Sequence, residues 1–336
     1  MSGQGLIPLP FFFGPPESTR IMALPFVQAL HHGIHRIDTG FHRDDFDAAY
    51  LIVDQGRAAF VDTGTNFSVP RLLAALDDLG LPREAVDFVI PTHVHLDHAG
   101  GVGLLMQQLP QATVLVHPRG ARHLIDPSAL YQGALAVYGQ AEMDRAYGQL
   151  QPVATERVRS PADGETVLLA DRPLLFTDTP GHARHHHCIW DERSQGWFTG
   201  DTFGLGYPEF HTAAGDWVMP TSTPVQFEPD ALHASINTLL ARQPRCMYLT
   251  HYGQVDDVPR LAGLLHRQID AMVALALRLR DTPQRHHALV AGLQALYGDE
   301  LRAHGVADVP AVLAGLALDI GLNAEGLAIW LDRPAR

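Results

Sequence analysis

The stretch THVHLDHAGG, Thr92 to Gly101, places three histidines and an aspartate within six positions. It follows VDFVIP, an apolar run that predicts a buried strand. Alternate side chains of extended backbone point to the same side, so His93 and His95 can reach one metal ion. Asp97 and His98 come where the chain turns into a glycine-rich helix start, and adjacent residues there diverge. The stretch therefore predicts two neighbouring metal ions, with Asp97 and His98 serving the second.

Three further candidate ligands follow, each at the end of a predicted strand. FTDTPGHA puts His182 directly after a Pro-Gly turn, WFTGDTF puts Asp201 after a strand and a glycine, and CMYLTHYG puts His251 at a strand end. A single histidine at a strand end is more often structural than a ligand. Three such residues together, in a chain that repeats strand and helix, favour the ligand interpretation. Zinc accepts this mixture of nitrogen and oxygen donors at roughly 2.0–2.2 Å.

The surrounding sequence predicts an α/β fold with two strand-rich halves, each followed by helices. Residues 119–150 have the pattern of a helical insertion, and the sequence from about Pro259 onward is helical. We therefore expect an N-terminal leader at 1–33 and a catalytic domain at 34–258. A helical C-terminal extension, 259–336, is expected to pack on that domain.

Composition excludes several classes of protein. The 336 residues are 46% hydrophobic and carry a net charge of −13, with no cluster of basic residues, so nucleic acid is not an expected partner. The apolar start is interrupted by prolines and has no preceding positive charge, which predicts neither a signal peptide nor a membrane span. Cys188 and Cys246 are predicted to be buried thiols, as in a cytoplasmic protein. The apolar tail makes a homodimer plausible.

The order of these motifs resembles that of the metallo-β-lactamase-fold superfamily, in its glyoxalase II-like and lactonase-like metallo-hydrolase branch. The resemblance runs from Asp62, in VDTG, through HVHLDH and His182 to Asp201 and His251. It implies an αββα sandwich with the metal site along its edge. In this pattern Asp62 is a carboxylate that orients the ligating imidazoles.

The resemblance also implies which residues hold which ion. One ion is assigned to His93, His95 and His182, the other to Asp97, His98 and His251, and Asp201 bridges the two. The cofactors implied are two divalent metal ions per chain. Zinc is expected, and iron or manganese would suit the same histidine and aspartate ligands.

Departures from the family patterns narrow the branch. Asp201 stands where the main zinc β-lactamases have cysteine, and His95 where flavodiiron oxidoreductases have glutamate. Acyl-homoserine lactonases have a tyrosine where this chain has Gly204. In the GHxxGH motif of glyoxalase II, His185 replaces the second glycine and His186 takes the place of the second histidine. Antibiotic hydrolysis is therefore not expected, and the substrate stays open.

The function implied is a dinuclear hydrolase that uses a metal-bridging hydroxide on a small ester, thioester or lactone. Asp97 is the catalytic candidate, because a carboxylate beside the nucleophile can orient it and carry a proton to the leaving group. Two alternatives remain: a phosphodiesterase of the same fold, and a mono-iron oxygenase resembling persulfide dioxygenase. The number of metal ions separates the oxygenase from the hydrolase.

Other residues are assigned from their place in the sequence. The roles of His185, His186 and His187 stay open, and His117 is predicted to be structural. His211 is a candidate for substrate contact, since the long loop 204–229 is expected to wall the pocket together with the 119–150 helices. Tyr252 is predicted to be a packed aromatic residue rather than a donor to the substrate.

Overall fold

The computed structural model of this chain describes residues 24–222 and 225–333. Within these ranges, strands β1 to β7 form the first sheet in that order, and the second sheet has the order β13-β12-β11-β10-β9-β8. The first sheet comprises β1 (Val27–Ala29), β2 (Ile34–Asp38), β3 (Ala48–Asp54), β4 (Arg57–Val61), β5 (Val86–Ile90), β6 (Thr113–Leu115) and β7 (Val158–Arg159). The second comprises β8 (Thr166–Leu169), β9 (Arg172–Asp178), β10 (His187–Asp191), β11 (Gly196–Gly200), β12 (Cys246–Leu249) and β13 (Gly253–Val255).

Some helices pack on the outer faces of the sheets, and others form the two helical segments that the sequence predicts, 119–150 and 259–336. They are α1 (Val69–Asp78), α2 (Leu96–Ala99), α3 (Val102–Gln108), α4 (Ala121–Ile125), α5 (Ser128–Tyr138), α6 (Gln140–Glu142), α7 (Pro229–Leu240), α8 (Val258–Leu279), α9 (Arg285–His304), α10 (Val309–Gly315) and α11 (Ala317–Asp332). A π-helical turn, Met143–Tyr147, follows α6. In the described ranges no single helix is long and apolar enough to cross a membrane; α10 and α11 reach that length only as a pair bent by 63°.

The two sheets pack face to face, with helices on both outer faces. Buried side chains such as Tyr50, Phe176 and Phe198 fill the layer between the sheets. Helices α1 and α3 bury their apolar faces on the outside of the first sheet. Helices α7, α8, α9 and α11 share one core with the outside of the second sheet. The predicted αββα sandwich with a helical C-terminal region is confirmed.

Parallel pairs of strands collect the functional residues at one edge of the sandwich. Strands β4 and β5 are parallel in the first sheet, as are β11 and β12 in the second. Because the carboxyl ends of parallel strands meet at the same edge, the residues that follow these four strands lie close together. A backbone hydrogen bond from Ala48 N–H to the carbonyl of Thr250 (2.8 Å) joins the sheets there.

The first sheet extends into the predicted N-terminal leader. Strand β1 lies inside the predicted leader 1–33, and it pairs antiparallel with β2, so that Val27 faces Ile37. This strand is only three residues long and lies close after Pro25, a residue typical of turns, so the local sequence does not predict a strand. Among the described residues the first sheet therefore begins at Val27, and residues 1–23 of the predicted leader lie outside the described residues.

Candidate metal centre

The sandwich edge brings together all seven residues that the sequence nominated. In the first group, His93 Nε2 lies 2.7 Å from His95 Nδ1, and that atom lies 3.2 Å from His182 Nε2. Tetrahedral ligands bound at roughly 2.0–2.2 Å are separated from one another by about 3.3–3.6 Å. The three nitrogens are therefore grouped closely enough to surround one ion.

The second group lies beside the first and contains Asp97, His98 and His251. Asp97 Oδ2 is 3.5 Å from His251 Nε2 and 3.9 Å from His98 Nε2. These separations also suit atoms that share one ion, and the carboxylate adds a negative charge that the first group lacks.

Asp201 stands between the two groups with one oxygen turned to each. Its Oδ2 lies 3.3 Å from His182 Nε2 in the first group, and its Oδ1 lies 3.2 Å from His98 Nε2 in the second. A carboxylate placed in this way can bridge two cations and offset their mutual repulsion.

Two buried polar atoms of the cluster have the chemistry of metal ligands. His98 Nε2 and Asp201 Oδ1 are both buried and lie 3.2 Å apart without the geometry of a hydrogen bond, and neither atom has another hydrogen-bond partner among the described residues. Buried polar atoms without partners cost free energy, and native structures rarely leave them unpaired. A cation held between this nitrogen and this oxygen would satisfy both.

In His98 and His251, hydrogen bonds hold Nδ1 so that Nε2 faces the centre. Nδ1 of His98 lies 2.8 Å from Asp62 Oδ2, and Nδ1 of His251 lies 2.9 Å from the carbonyl oxygen of Phe46. Because an oxygen acceptor requires a proton on Nδ1, the neutral form of each ring has its lone pair on Nε2, where a metal ion would bind. The sequence thus encodes ligand orientation as well as ligand identity.

Asp62 is itself anchored from both sheets. It is fully buried and accepts hydrogen bonds from Thr92 N–H at 2.7 Å and from the Thr250 hydroxyl at 2.7 Å. Its φ of 55° lies in the left-handed region, which aspartate tolerates better than most residues. This network fixes the imidazole of His98 in place.

The two groups differ in their electrostatics. Burial and neighbouring imidazoles hold the pKa of His93 and His95 well below the usual value, so both rings are neutral at physiological pH. Burial acts in the same direction on the pKa of His98, but Asp201, Asp62 and Asp97 together raise it well above the usual value. The first group therefore offers neutral nitrogens, and the second offers a more negative environment.

The three consecutive histidines do not join the ligand set. His186 Nε2 accepts the backbone N–H of Asp201 at 3.2 Å, its Nδ1 lies 2.9 Å from the Thr179 hydroxyl, and its ring stacks on His93 at 4.8 Å. His187 Nε2 donates to the carbonyl of Pro91 at 3.0 Å. His185 Nδ1 accepts the N–H of Val94 at 3.4 Å. His186 therefore supports Asp201 from behind, a role that the sequence left open.

Three other nominated side chains lie away from the ligand cluster. His211 is 64% exposed and bonds to Asp216 at 2.8 Å, so the structure does not place it as a substrate contact. His117 pairs with Asp178 at 3.0 Å, a structural contact. Tyr252 is buried under the guanidinium of Arg36, 4.2 Å from its ring centre, which is the predicted packed arrangement.

Residues that no motif revealed form an outer wall next to the second group. We call this set the outer wall: Tyr138, Tyr147, Tyr207 and Asp319. The ring of Tyr207 lies 6.4 Å from that of His251, and its hydroxyl donates to Asp319 Oδ1 at 3.2 Å. Tyr138 and Tyr147 pack at 5.3 Å; burial raises the pKa of both, and the charge of Asp97 raises it further. The three tyrosines come from the insertion and the loop that the sequence nominated.

Comparison with known proteins agrees with this geometry. The metallo-beta-lactamase superfamily model matches residues 42–249. The metallo-beta-lactamase fold-containing protein ST1585 of Sulfurisphaera tokodaii is 25% identical over 228 residues, which cover 66% of this chain and 79% of the relative. Its solved structure matches 72% of this chain and 86% of its own with a TM-score of 0.59.

Two further matches extend the comparison. The structure of the metallo-beta-lactamase family protein TTHA1429 from Thermus thermophilus covers 89% of this chain and 93% of its own, with a TM-score of 0.62 and 21% identity. Hydroxyacylglutathione hydrolase of Salmonella paratyphi A is 28% identical over 160 residues, which cover 46% of each protein. The family model covers more than half of the chain, and the ligand cluster lies inside the matched range apart from His251, two residues beyond its end. This chain belongs to the metallo-beta-lactamase superfamily.

Proposed function

We propose that this protein is a hydrolase that binds two divalent metal ions and acts on a small ester, thioester or lactone. The observation that carries the proposal is the position of Asp201, with one carboxylate oxygen toward each group of ligands. The unpaired, buried Nε2 of His98 supports it, because that atom lacks a hydrogen-bond partner among the described residues.

The proposal assigns the first ion to His93, His95 and His182 and the second to Asp97, His98 and His251. Zinc suits this set of five histidines and two carboxylates. When bound, two such ions would supply Lewis acidity, which lowers the pKa of water and polarises a carbonyl oxygen.

Asp97 is proposed as the residue that handles the proton. Its side chain is 27% exposed, whereas those of His98 and Asp201 are 0% and 7% exposed. It can therefore touch both an attacking water and a substrate that enters from the open side. A carboxylate in this position accepts a proton from the water and passes it to the leaving group.

Asp62 and His186 are proposed to hold the ligands in position. Asp62 fixes the ring of His98, and His186 holds the backbone of Asp201. Such partners of the ligands usually change metal affinity or activity by roughly 10–100-fold when removed.

A carbonyl substrate is favoured over a phosphodiester. The chain carries a charge of −13 and so repels polyanions, and one of its relatives is named for the hydrolysis of an acylated glutathione. That relative is matched over 46% of its length, so its particular substrate is not carried over.

The test is a substrate screen on metal-depleted protein that is then reloaded with zinc, manganese or iron. We expect hydrolysis of at least one ester, thioester or lactone, absent without metal and restored by it. Hydrolysis confined to phosphodiesters, or oxygen consumption with an added persulfide, would contradict the proposal.

A further inference from the structure

A carboxylate of the C-terminal extension lies next to the metal centre with one oxygen unused. Asp319, near the start of α11, accepts a hydrogen bond from the Tyr207 hydroxyl through Oδ1. Its Oδ2 is buried and has no hydrogen-bond partner among the described residues. A buried carboxylate oxygen without a donor is costly unless a ligand supplies one.

Asp319 is connected to the metal centre through Tyr207. Tyr207, which holds Asp319, is in ring contact with His251, and it stacks on Phe46 at 5.2 Å. A substrate bound at the ions could therefore place a second group near Asp319.

The backbone that carries Asp319 is firmly attached to the loop beside the first ligand group. Asn323, four residues further along α11, accepts the N–H of Ser222 at 2.6 Å and donates to the carbonyl of Pro220 at 3.1 Å. The carbonyl of the intervening Thr221 lies 3.4 Å from Nδ1 of His182. Asp319 is thus presented from a fixed element, as a recognition residue requires.

No cationic side chain among the described residues forms a hydrogen bond or an ion pair with Asp319. Arg43 lies 4.9 Å above the ring of Tyr207, but its guanidinium pairs with Glu209 at 2.6 Å. The sequence contains no lysine at all. A second carboxylate on the same helix, Glu325, adds negative charge near Tyr138.

We propose that Asp319 determines substrate specificity by binding an ammonium group at the end of the substrate away from the scissile bond. This inference rests on the proposed function, because it assumes that the reacting carbonyl lies at the metal centre. An ammonium N–H would donate to Oδ2, while the Tyr207 hydroxyl keeps the carboxylate oriented through Oδ1. A carboxylate that accepts from an ammonium group forms a charge-assisted hydrogen bond, which is stronger than one between neutral groups.

The experiment measures binding, so that it does not depend on turnover. The probes are ω-amino acyl hydroxamates with chains of three to six carbons, each paired with the methyl-terminated hydroxamate of equal length. The hydroxamate end binds the metal ions, and the pair differs only in the ammonium group. Dissociation constants are measured by calorimetry on metal-loaded wild type, Asp319→Asn and Tyr207→Phe.

A control variant removes the same charge elsewhere on α11. Asp332 is 61% exposed and pairs with Arg285, so Asp332→Asn changes net charge without touching the outer wall. We expect wild type and this control to bind the best ammonium probe about tenfold or more tightly than its methyl partner. Asp319→Asn should lose most of that preference, Tyr207→Phe part of it, and the methyl probes should bind all variants alike.

The outcomes separate this inference from the proposed function. Equal binding of the two probes by wild type at every length, or a preference that survives in Asp319→Asn, would overturn the role of Asp319. Failure of either probe to bind would overturn it too. An Asp319-dependent preference in a protein that hydrolyses no ester, thioester or lactone would uphold the inference and reject the proposed hydrolase.

Discussion

The metal centre and the outer wall are built in different ways, although they are neighbours. The nominated ligands lie at strand ends or in one short motif. Hydrogen bonds from residues outside the ligand set hold them in position: Asp62 contacts His98, the carbonyl of Phe46 contacts His251, and His186 accepts the backbone N–H of Asp201. The outer wall is assembled from distant segments, with Tyr207 bonded to a residue 112 positions away. It also keeps a carboxylate oxygen without a hydrogen-bond partner among the described residues.

This difference indicates which residues determine the type of reaction and which determine substrate specificity. Binding of metal ions needs several ligands in one fixed geometry. Parallel strands that end at the same edge of the sandwich bring those ligands together. Recognition needs only a few side chains from whichever segments pack over that edge. We therefore expect substitutions in the metal centre to abolish turnover, and substitutions in the outer wall to change substrate preference or stability.

The largest effect is expected from Asp201→Ala. It removes the carboxylate between the two groups, so at least one ion should be lost and kcat should fall by more than the roughly 10–100-fold typical of ligand-supporting residues. The fold should persist, because the sandwich core does not involve these ligands. Metal content, circular dichroism and kcat on one substrate measure this.

Asp216→Ala is the control for that variant, because Asp216 is a surface residue bonded to His211. It should retain metal and activity. Full metal occupancy with near-normal kcat in Asp201→Ala would mean that the carboxylate does not bridge two ions.

Asp97→Asn should have a smaller effect on metal and a large one on turnover. The amide oxygen still coordinates weakly but does not accept a proton, so kcat should fall by roughly 10²–10⁴ while metal is partly retained. Metal analysis and steady-state kinetics on the same preparation measure both. A variant that keeps its metal and its full kcat would remove Asp97 from the proposed mechanism.

Asn323→Ala tests whether the two regions are coupled. The change leaves Ser222 N–H without its acceptor, so the free energy of unfolding should fall by about 1–3 kcal/mol. Because Thr221 adjoins His182, metal affinity should also fall, by less than about tenfold. Urea unfolding and metal titration measure these effects.

Asn237→Ala, in the exposed part of α7, is the matched control and should change neither quantity. Unaltered metal affinity in a destabilised Asn323→Ala would show that the helix supports the fold without positioning His182.

The smallest effect concerns the pH dependence of stability. Burial raises the pKa of Asp319 to about 6, against the charges of His251 and Arg43. The folded protein thus holds this proton more tightly than the unfolded chain, whose aspartates titrate near 3.8. The favourable contribution is complete below about pH 4 and is lost as pH rises through about 6.

Asp319→Asn should therefore stabilise the protein at about pH 7.5, by on the order of 1 kcal/mol, and the gain should shrink toward about pH 4. Urea unfolding of the variant and of Asp332→Asn at both pH values measures this. Destabilisation at the higher pH would mean that Asp319 has a structural role, in contrast to the recognition role proposed for it.

Strand periodicity predicted the α/β alternation, and the resemblance to the superfamily implied the sandwich with its metal site at the edge. The seven residues were nominated from strand ends and local spacing, and the structure brings them to one edge. The sequence failed to predict β1, whose three residues give too little pattern, and it assigned a candidate contact to His211, which points to solvent. It predicted that residues 119–150 and the loop 204–229 would wall the pocket, but it did not identify Tyr138, Tyr147 and Tyr207 within them. Asp319 gave no signal, because its place depends on how α11 packs, and long-range packing leaves no local pattern.

The number of metal ions per chain is the most direct test of the proposal that this protein binds two metal ions. Purified protein is loaded with zinc, freed of loosely bound metal, and analysed by mass spectrometry of its elements against protein concentration. We expect two ions per chain in wild type. One tightly held iron, with the second position empty under excess metal, would contradict the dinuclear hydrolase and favour a mono-iron oxygenase.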